Sequence, residues 1–350
     1  MARGGLLSAK GAKRLYEILV RPVLEHAAEV DSEKWEEAEK LQRMAGRMCL
    51  GVGKDVPNEV VEGELGWWSM RGRREYLRLM FWGEIVSGRG SRVVIDVYKE
   101  GRKRVREGRA GAKEWCVETK RVLEELGMDV VWEREDVGDL KRWKNRVKRM
   151  IGGREEFRWR GRMIGSGNGK VKTSLERYMV IKNKLRAEWF LGESRAWVRR
   201  WVKMRGGVQE LEVSRERGRR VRRKRVCYWC ELGCVEDERH FWGECKQWEK
   251  QRTALWKELW ELDKRTVGEI VGWGIEYKVN WLMRGGNKKV RMRVMKGMTR
   301  WMYEREKMGL GKIGKEEKIV MEVAEAVREI RIGELQPVDL GGGVTVDGRE

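Results

Sequence analysis

Three prolines, two histidines and four phenylalanines are all that 350 residues contain, and no window of eighteen uncharged apolar residues occurs. Each scarcity narrows what the chain can be. Without a long apolar run there is nothing to cross a bilayer, and Met1–Ser8 lacks the apolar stretch of a secretory signal. Two histidines leave little for imidazole acid–base or nucleophilic chemistry. There is no Gly-x4-Gly-Lys-Ser/Thr loop to cradle a nucleotide phosphate. Alternating apolar–polar stretches are scarce too, which excludes a mainly β chain. The rare residues have codons that need C or a pyrimidine third base. The abundant ones, 43 glycines, 19 tryptophans and 17 methionines, can be written without C. A coding strand poor in C would produce this skew, and an ordinary base composition in the gene would refute it. The tryptophans then reflect nucleotide bias as much as any need to stack bases.

What the chain has in excess is positive charge. A net charge of +22 and a pI near 9.9 favour a polyanionic partner. Charge alone does not separate RNA from DNA or anionic lipid, and outside 215–225 many cations are simply solvated helix faces. Six cysteines do not make a secreted disulfide framework. Four of them, 227, 230, 234 and 245, lie within nineteen residues, the distribution of a metal site in a reducing, intracellular setting. Cys49 and Cys116 sit at apolar positions and read as buried thiols.

Cys227, Cys230, His240 and Cys245 form a C-x2-C-x9-H-x4-C cluster. Three thiolates and an imidazole can close a tetrahedral shell around Zn²⁺, leaving no position for a reacting water, so the expected role is structural. A regular helix would set His240 and Cys245, five residues apart, about 140° from each other. The helix is therefore expected to begin or unwind between them. Cys234 is a spare thiol, a replacement ligand or a bystander. Immediately before the cluster, residues 215–225 hold eight Lys/Arg against Glu216. Arg217, Arg219, Arg220, Arg222, Arg223, Lys224 and Arg225 are the candidate phosphate contacts, and the run can also serve as a nuclear localisation signal. Tyr228 and Trp229 are the candidate base-stacking residues, whereas Phe241 and Trp242 are expected to pack the small module. Two other basic stretches are weaker candidates. Lys141–Arg149 reads as a solvated face over a Trp143/Val147/Met150 stripe, and Lys288–Arg293 is ambiguous.

The prevailing period is helical. Helices are expected over 10–29, with Pro22 dividing the segment, and over 33–50, capped by Ser32. The latter carries Trp35, Ala38, Leu41, Ala45 and Met48 on one stripe. Ser69 would cap 70–86, with Leu77, Met80, Phe81 and Ile85 inward. Further helices are expected at 112–126, 139–151, 174–191, 195–204, 249–262, 288–307 and 315–331. Residues 87–91, 165–170 and 285–289 read as connectors.

Two stretches carry a resemblance. LSAKGAKRLYEILVRPVLEHAAEV (7–30) and KWEEAEKLQRMAGRMCLGVGKDVPNEVVEGELGWWSMRGRREYLRLMFWGEIV (34–86) resemble the region after the catalytic palm in reverse transcriptases of non-LTR retrotransposons. The matching elements are VRPVLEHAAEV, LQRMAGRMCLG and ELGWW leading into a basic helix. The cluster, with VEDERHFWGEC (235–245) and the following Arg252, is similar to the zinc-knuckle-like motif late in those polyproteins. The resemblance implies a helical thumb and connector that holds a template–primer duplex. It departs at His26 and Ala27, where the family has an aromatic residue and Gly. Adjacent aspartates, which the family's palm needs for its metal ions, occur nowhere in the chain. Nor does a Pro-Asp…Asp/Glu-x-Lys nuclease pattern appear in 253–350. The expectation is a non-catalytic C-terminal piece of such a polyprotein.

The expected fold is mainly α. A thumb/connector-like region spans 1–90, a helical middle 91–210, the basic arm and CCHC zinc module 211–252, a C-terminal helical segment 253–340, and a disordered tail 341–350. The expected cofactor is Zn²⁺. The expected partners are RNA or DNA and the polymerase part of the parent polyprotein, with no membrane, in the nucleus or cytoplasm. A zinc-stabilised protein-interaction module and a relic of a decayed element are the alternatives.

Overall fold

The structure is a computed structural model, and it describes residues 7–30, 35–164, 175–208, 211 and 226–308. The chain is mainly helical, and the described residues include no strand, only the isolated bridges Leu65–Ala187 and Val226–Val235. Residues Met1–Thr299 form one compact unit. The described part of a second unit, which runs from Arg300 to Glu350, is helical over 300–308. No helix among the described residues is long and apolar enough to cross a membrane. The arm 217–225, the 165–170 connector, the Ser32 cap, the 315–331 helix and the tail lie outside the described residues.

Pro22 divides the first helix in a specific way. Ala9–Leu15 runs into a π segment, Tyr16–Val20, closed by a bond from the Arg21 N–H to the Tyr16 carbonyl, and Arg21–Leu24 follows. Proline brings no N–H, so the register widens just ahead of it. Ser69 caps Met70–Val86 as expected, its hydroxyl accepting from Gly72 N at 3.0 Å.

The inward faces differ from the expected stripes. In Glu36–Leu50 the buried positions are Ala38, Gln42, Gly46, Cys49 and Leu50, while Trp35, Leu41 and Met48 are exposed. Small residues let that helix close on its neighbour, and Gln42 turns inward because its amide donates to the Trp68 carbonyl at 3.0 Å. In Met70–Val86 the buried line includes Leu79, Trp82 and Ile85, with Met80 and Phe81 only partly covered. The helix Leu140–Met163 is far longer than expected. It buries Trp143 and Val147, as its basic stretch suggested, with Met150 partly buried.

Indoles organise the core. Nine of the nineteen tryptophans are buried and serve packing. Trp82 stacks on Trp132 at 5.8 Å and leans on Trp143 at 5.6 Å. Their polar edges find partners: Trp82 donates to the Tyr98 hydroxyl at 3.2 Å and Trp143 to the Leu79 carbonyl at 3.0 Å. Arg102 is buried in the same region, its guanidinium donating to the Trp132 and Glu133 carbonyls.

The ELGWW sequence acts as a junction. Glu64 and Leu65 end the helix Asn58–Leu65, and Gly66 caps it in the left-handed region at φ 65°. A Cβ on Gly66 would also lie 2.1 Å from the Ala187 amide nitrogen. The chain at 186–188 therefore runs tight against the cap, with the Glu188 N–H donating to the Glu64 carbonyl at 3.0 Å. Trp67 packs on Tyr16 at 4.6 Å. Gly66→Ala combines a strained φ with a backbone clash and is expected to cost about 3 kcal/mol of stability. Urea unfolding checks it; a loss below about 0.5 kcal/mol would mean that the junction yields.

Candidate metal centre

The quartet assembles. The ligating atoms of Cys227, Cys230, His240 and Cys245 all lie within 4.8 Å of one another. Cys227 Sγ is 3.9 Å from Cys245 Sγ, and Cys230 Sγ is 3.3 Å from His240 Nε2. Around a tetrahedral ion with metal–sulfur bonds of about 2.3 Å, sulfur–sulfur edges are about 3.8 Å. The donors therefore suit a four-ligand shell in number and type, and the Cys227–Cys245 pair suits it in spacing.

Local chemistry explains how the sequence reaches this geometry. The Val226–Val235 bridge and the bond from Cys227 N to the Cys234 carbonyl (2.8 Å) close a short loop. Gly233 turns that loop at φ 61°. Inside it the Trp229 N–H donates to Cys227 Sγ at 3.4 Å, which orients the sulfur. Asp237 then starts the next turn, its carboxylate accepting from His240 N at 3.0 Å. His240–Glu244 is a π turn, closed by the Cys245 N–H on the His240 carbonyl at 2.7 Å. An i→i+5 bond stacks residues five apart, so His240 and Cys245 fall on the same side of the turn; the expected unwinding takes this form.

Electrostatics suit metal binding. Burial pushes the His240 imidazole below its ordinary range, which keeps it neutral with a lone pair to give. Cys227 and Cys245 share one contact. It raises the Cys227 thiol, with burial adding to the rise, and lowers that of Cys245; either sulfur can be the donor. Arg252 donates to the Cys245 carbonyl at 3.1 Å and brings a cation beside the cluster. Cys234 is exposed and its thiol points to the Leu232 carbonyl at 3.5 Å, outside the shell.

Phe241 and Trp242 are buried and pack the module as expected, and the Phe241 ring also contacts the buried Trp248. Tyr228 is half exposed at its outer surface and Trp229 is partly buried. The module is not free-standing. A Cβ on Gly243 would sit 2.2 Å from Ile275, at the start of the helix Ile275–Arg284. Arg177 pairs with Glu238 at 3.6 Å and Glu276 at 3.0 Å.

Sequence reasoning missed a second polar centre. Arg205, buried, donates to Glu64 at 2.8 Å, to the Met283 carbonyl at 2.8 Å and to Glu188 at 3.4 Å. Lys182 donates to Glu188 at 2.5 Å and to the Arg186 carbonyl at 2.7 Å. These charges look like solvated helix faces in the sequence; only the Glu64–Gly66 turn brings them together.

The chain matches no family model, no curated protein and no solved structure.

Proposed function

We propose that the chain is a non-catalytic nucleic-acid-binding protein of reverse-transcriptase-like origin, and that its metal centre is a structural zinc site. The observation that carries the reading is the assembled quartet, set in a protein of net charge +22 and directly behind the basic run. Zinc is the ion of choice for three thiolates and an imidazole in a closed shell. Its work is to stiffen the loop that carries Tyr228 and Trp229, which follow the arm 217–225 in the sequence. The arm binds phosphates of RNA or an RNA–DNA duplex without reading sequence. One further observation supports the resemblance. Ala27 adopts φ 54°, a conformation in which the glycine of the resembled motif would be unstrained.

Fluorescence anisotropy of a labelled structured RNA, titrated at several salt concentrations, tests the reading. A steep negative slope of log K against log salt is expected. Neutralising Arg219, Arg220, Arg222 and Arg223 should weaken binding to all sequences alike and reduce that slope by about 2.8–3.6, near 0.7–0.9 per contact. An unchanged slope would move the binding surface elsewhere. Primer extension by this chain would contradict the non-catalytic assignment.

A protein-interaction module is the second reading, and one feature favours it. Leu19 and Val23, on the Ala9–Leu24 segment, are 63% and 69% exposed. Weak RNA binding even at low salt would turn the assignment toward it.

A further inference from the structure

A cavity of about 280 Å³ opens beside the buried Arg205 network, among residues 181–205 and 283–291. Its wall holds six cations and one carboxylate, Glu188. Glu188 is already taken by Lys182 and Arg205. Burial pushes its carboxyl up, but these two cations outweigh that and hold it below its usual range. It therefore offers a ligand neither a free acceptor nor an uncompensated charge.

The other four cations have no carboxylate at ion-pair distance among the described residues. Arg284 donates to the Val180 carbonyl at 3.3 Å, and Arg291 lies over the Trp189 ring at 5.6 Å. Lys184 and Arg186 sit on the exposed turn that Lys182 ties to the Arg186 carbonyl. Two donors of the wall are also unmatched. Trp201, 2% exposed, has an indole N–H with no acceptor, and Arg291 Nε is buried without one. A concave wall with fixed surplus positive charge and unmatched N–H dipoles is complementary to an anion.

We propose that this cavity binds a phosphate group. It lies at the small end of ligand sites, about 300–1,000 Å³, which suits a phosphate with its attached ester better than a whole nucleotide. Arg284 and Arg291 offer planar forks that match phosphate oxygens two at a time, and Lys184 and Arg186 add charge at the mouth. Resting on the nucleic-acid reading above, the phosphate belongs to a nucleic acid strand; the same chemistry would also take free inorganic phosphate.

Calorimetry with inorganic phosphate, and with a short RNA carrying either a 5′-phosphate or a 5′-hydroxyl, tests this. Two double variants of equal charge loss are compared. Lys184→Gln/Arg291→Gln alters the cavity, and Arg92→Gln/Arg265→Gln removes side chains that are 96% and 93% exposed elsewhere. The expected result is saturable phosphate binding at one site, at least tenfold weaker in the cavity variant and unchanged in the control. Preference for the 5′-phosphorylated RNA, lost in the cavity variant, identifies a strand end as the source. Equal affinity for the two RNAs, weakened in the cavity variant, identifies the strand's internal phosphates. If phosphate binds and RNA does not, the cavity stands and the nucleic-acid reading fails. If RNA binds while both variants behave alike, or phosphate does not saturate, the cavity assignment is overturned while RNA binding stands.

Discussion

Replacing Cys227 by serine is expected to drop bound zinc from one ion per chain to near zero under a mild chelator. The Cys227 sulfur is buried, 3.9 Å from Cys245 Sγ, and accepts the Trp229 N–H. A serine hydroxyl does not surrender its proton to zinc at neutral pH as a thiol does, so the shell loses one of four ligands. Zinc binding in small structural modules amounts to about 10–16 kcal/mol, all of it coupled to folding. Losing the ion should therefore also loosen residues 226–248, seen as faster amide exchange at the Cys227 N–H bonded to Cys234. Cys234→Ser is the control. Its thiol faces outward, so zinc content should stay at one per chain. Full occupancy in Cys227→Ser, or loss of zinc in Cys234→Ser, would break the ligand assignment.

Arg205→Met is expected to destabilise the protein by about 3–5 kcal/mol at pH 7, the cost of removing one partner from a buried ionic network. Arg205 holds Glu64, which is fully buried, and Glu188 together. Burial already pushes the Glu64 carboxyl up, opposed by Arg205. Glu188 is held low by Arg205 and Lys182 against its own burial. A depressed folded-state value contributes stability above the unfolded value, near 4.3, that is lost as pH falls through the folded one. With the guanidinium gone, both carboxyls rise instead, and their ionisation counts against the fold wherever the unfolded chain is ionised. The loss should thus be full at neutral pH and shrink progressively as pH falls below the unfolded value near 4.3 and on through the lower folded value of Glu188. Urea unfolding of the two proteins at pH 7 and pH 4 measures it. A loss that is equal or larger at pH 4 would show that packing, not charge, is what Arg205 supplies.

Helical periodicity made most of the long elements legible: the helices at 36–50, 70–86, 115–125, 195–205, 249–262 and 288–308 fall near their expected places. The short helices Asn58–Leu65, Lys264–Val271 and Ile275–Arg284, and the longer Arg92–Arg106, were not expected. Eight to ten residues give a weak periodic signal, and tertiary packing holds them. Inward faces were misread where polar or small residues point to the core. Gln42 is buried because a carbonyl awaits it, and Gly46 because Val61 and Leu65 press against its bare Cα. The quartet was legible because metal ligands declare themselves by type and spacing. Even the π turn was foreshadowed by a five-residue separation that an ordinary helix could not use. The Glu64–Arg205–Glu188–Lys182 network was not. Nothing distinguishes those residues from the many other charged ones until the left-handed turn at Gly66 packs residues 186–188 against Glu64.

X-ray absorption at the zinc edge of the purified chain tests the metal centre most directly. One zinc per chain, with three sulfurs at about 2.3 Å and one nitrogen at about 2.0–2.1 Å, is the predicted shell. A chain purified without zinc that fails to take it up, or a shell of four sulfurs with Cys234 in place of His240, would contradict it.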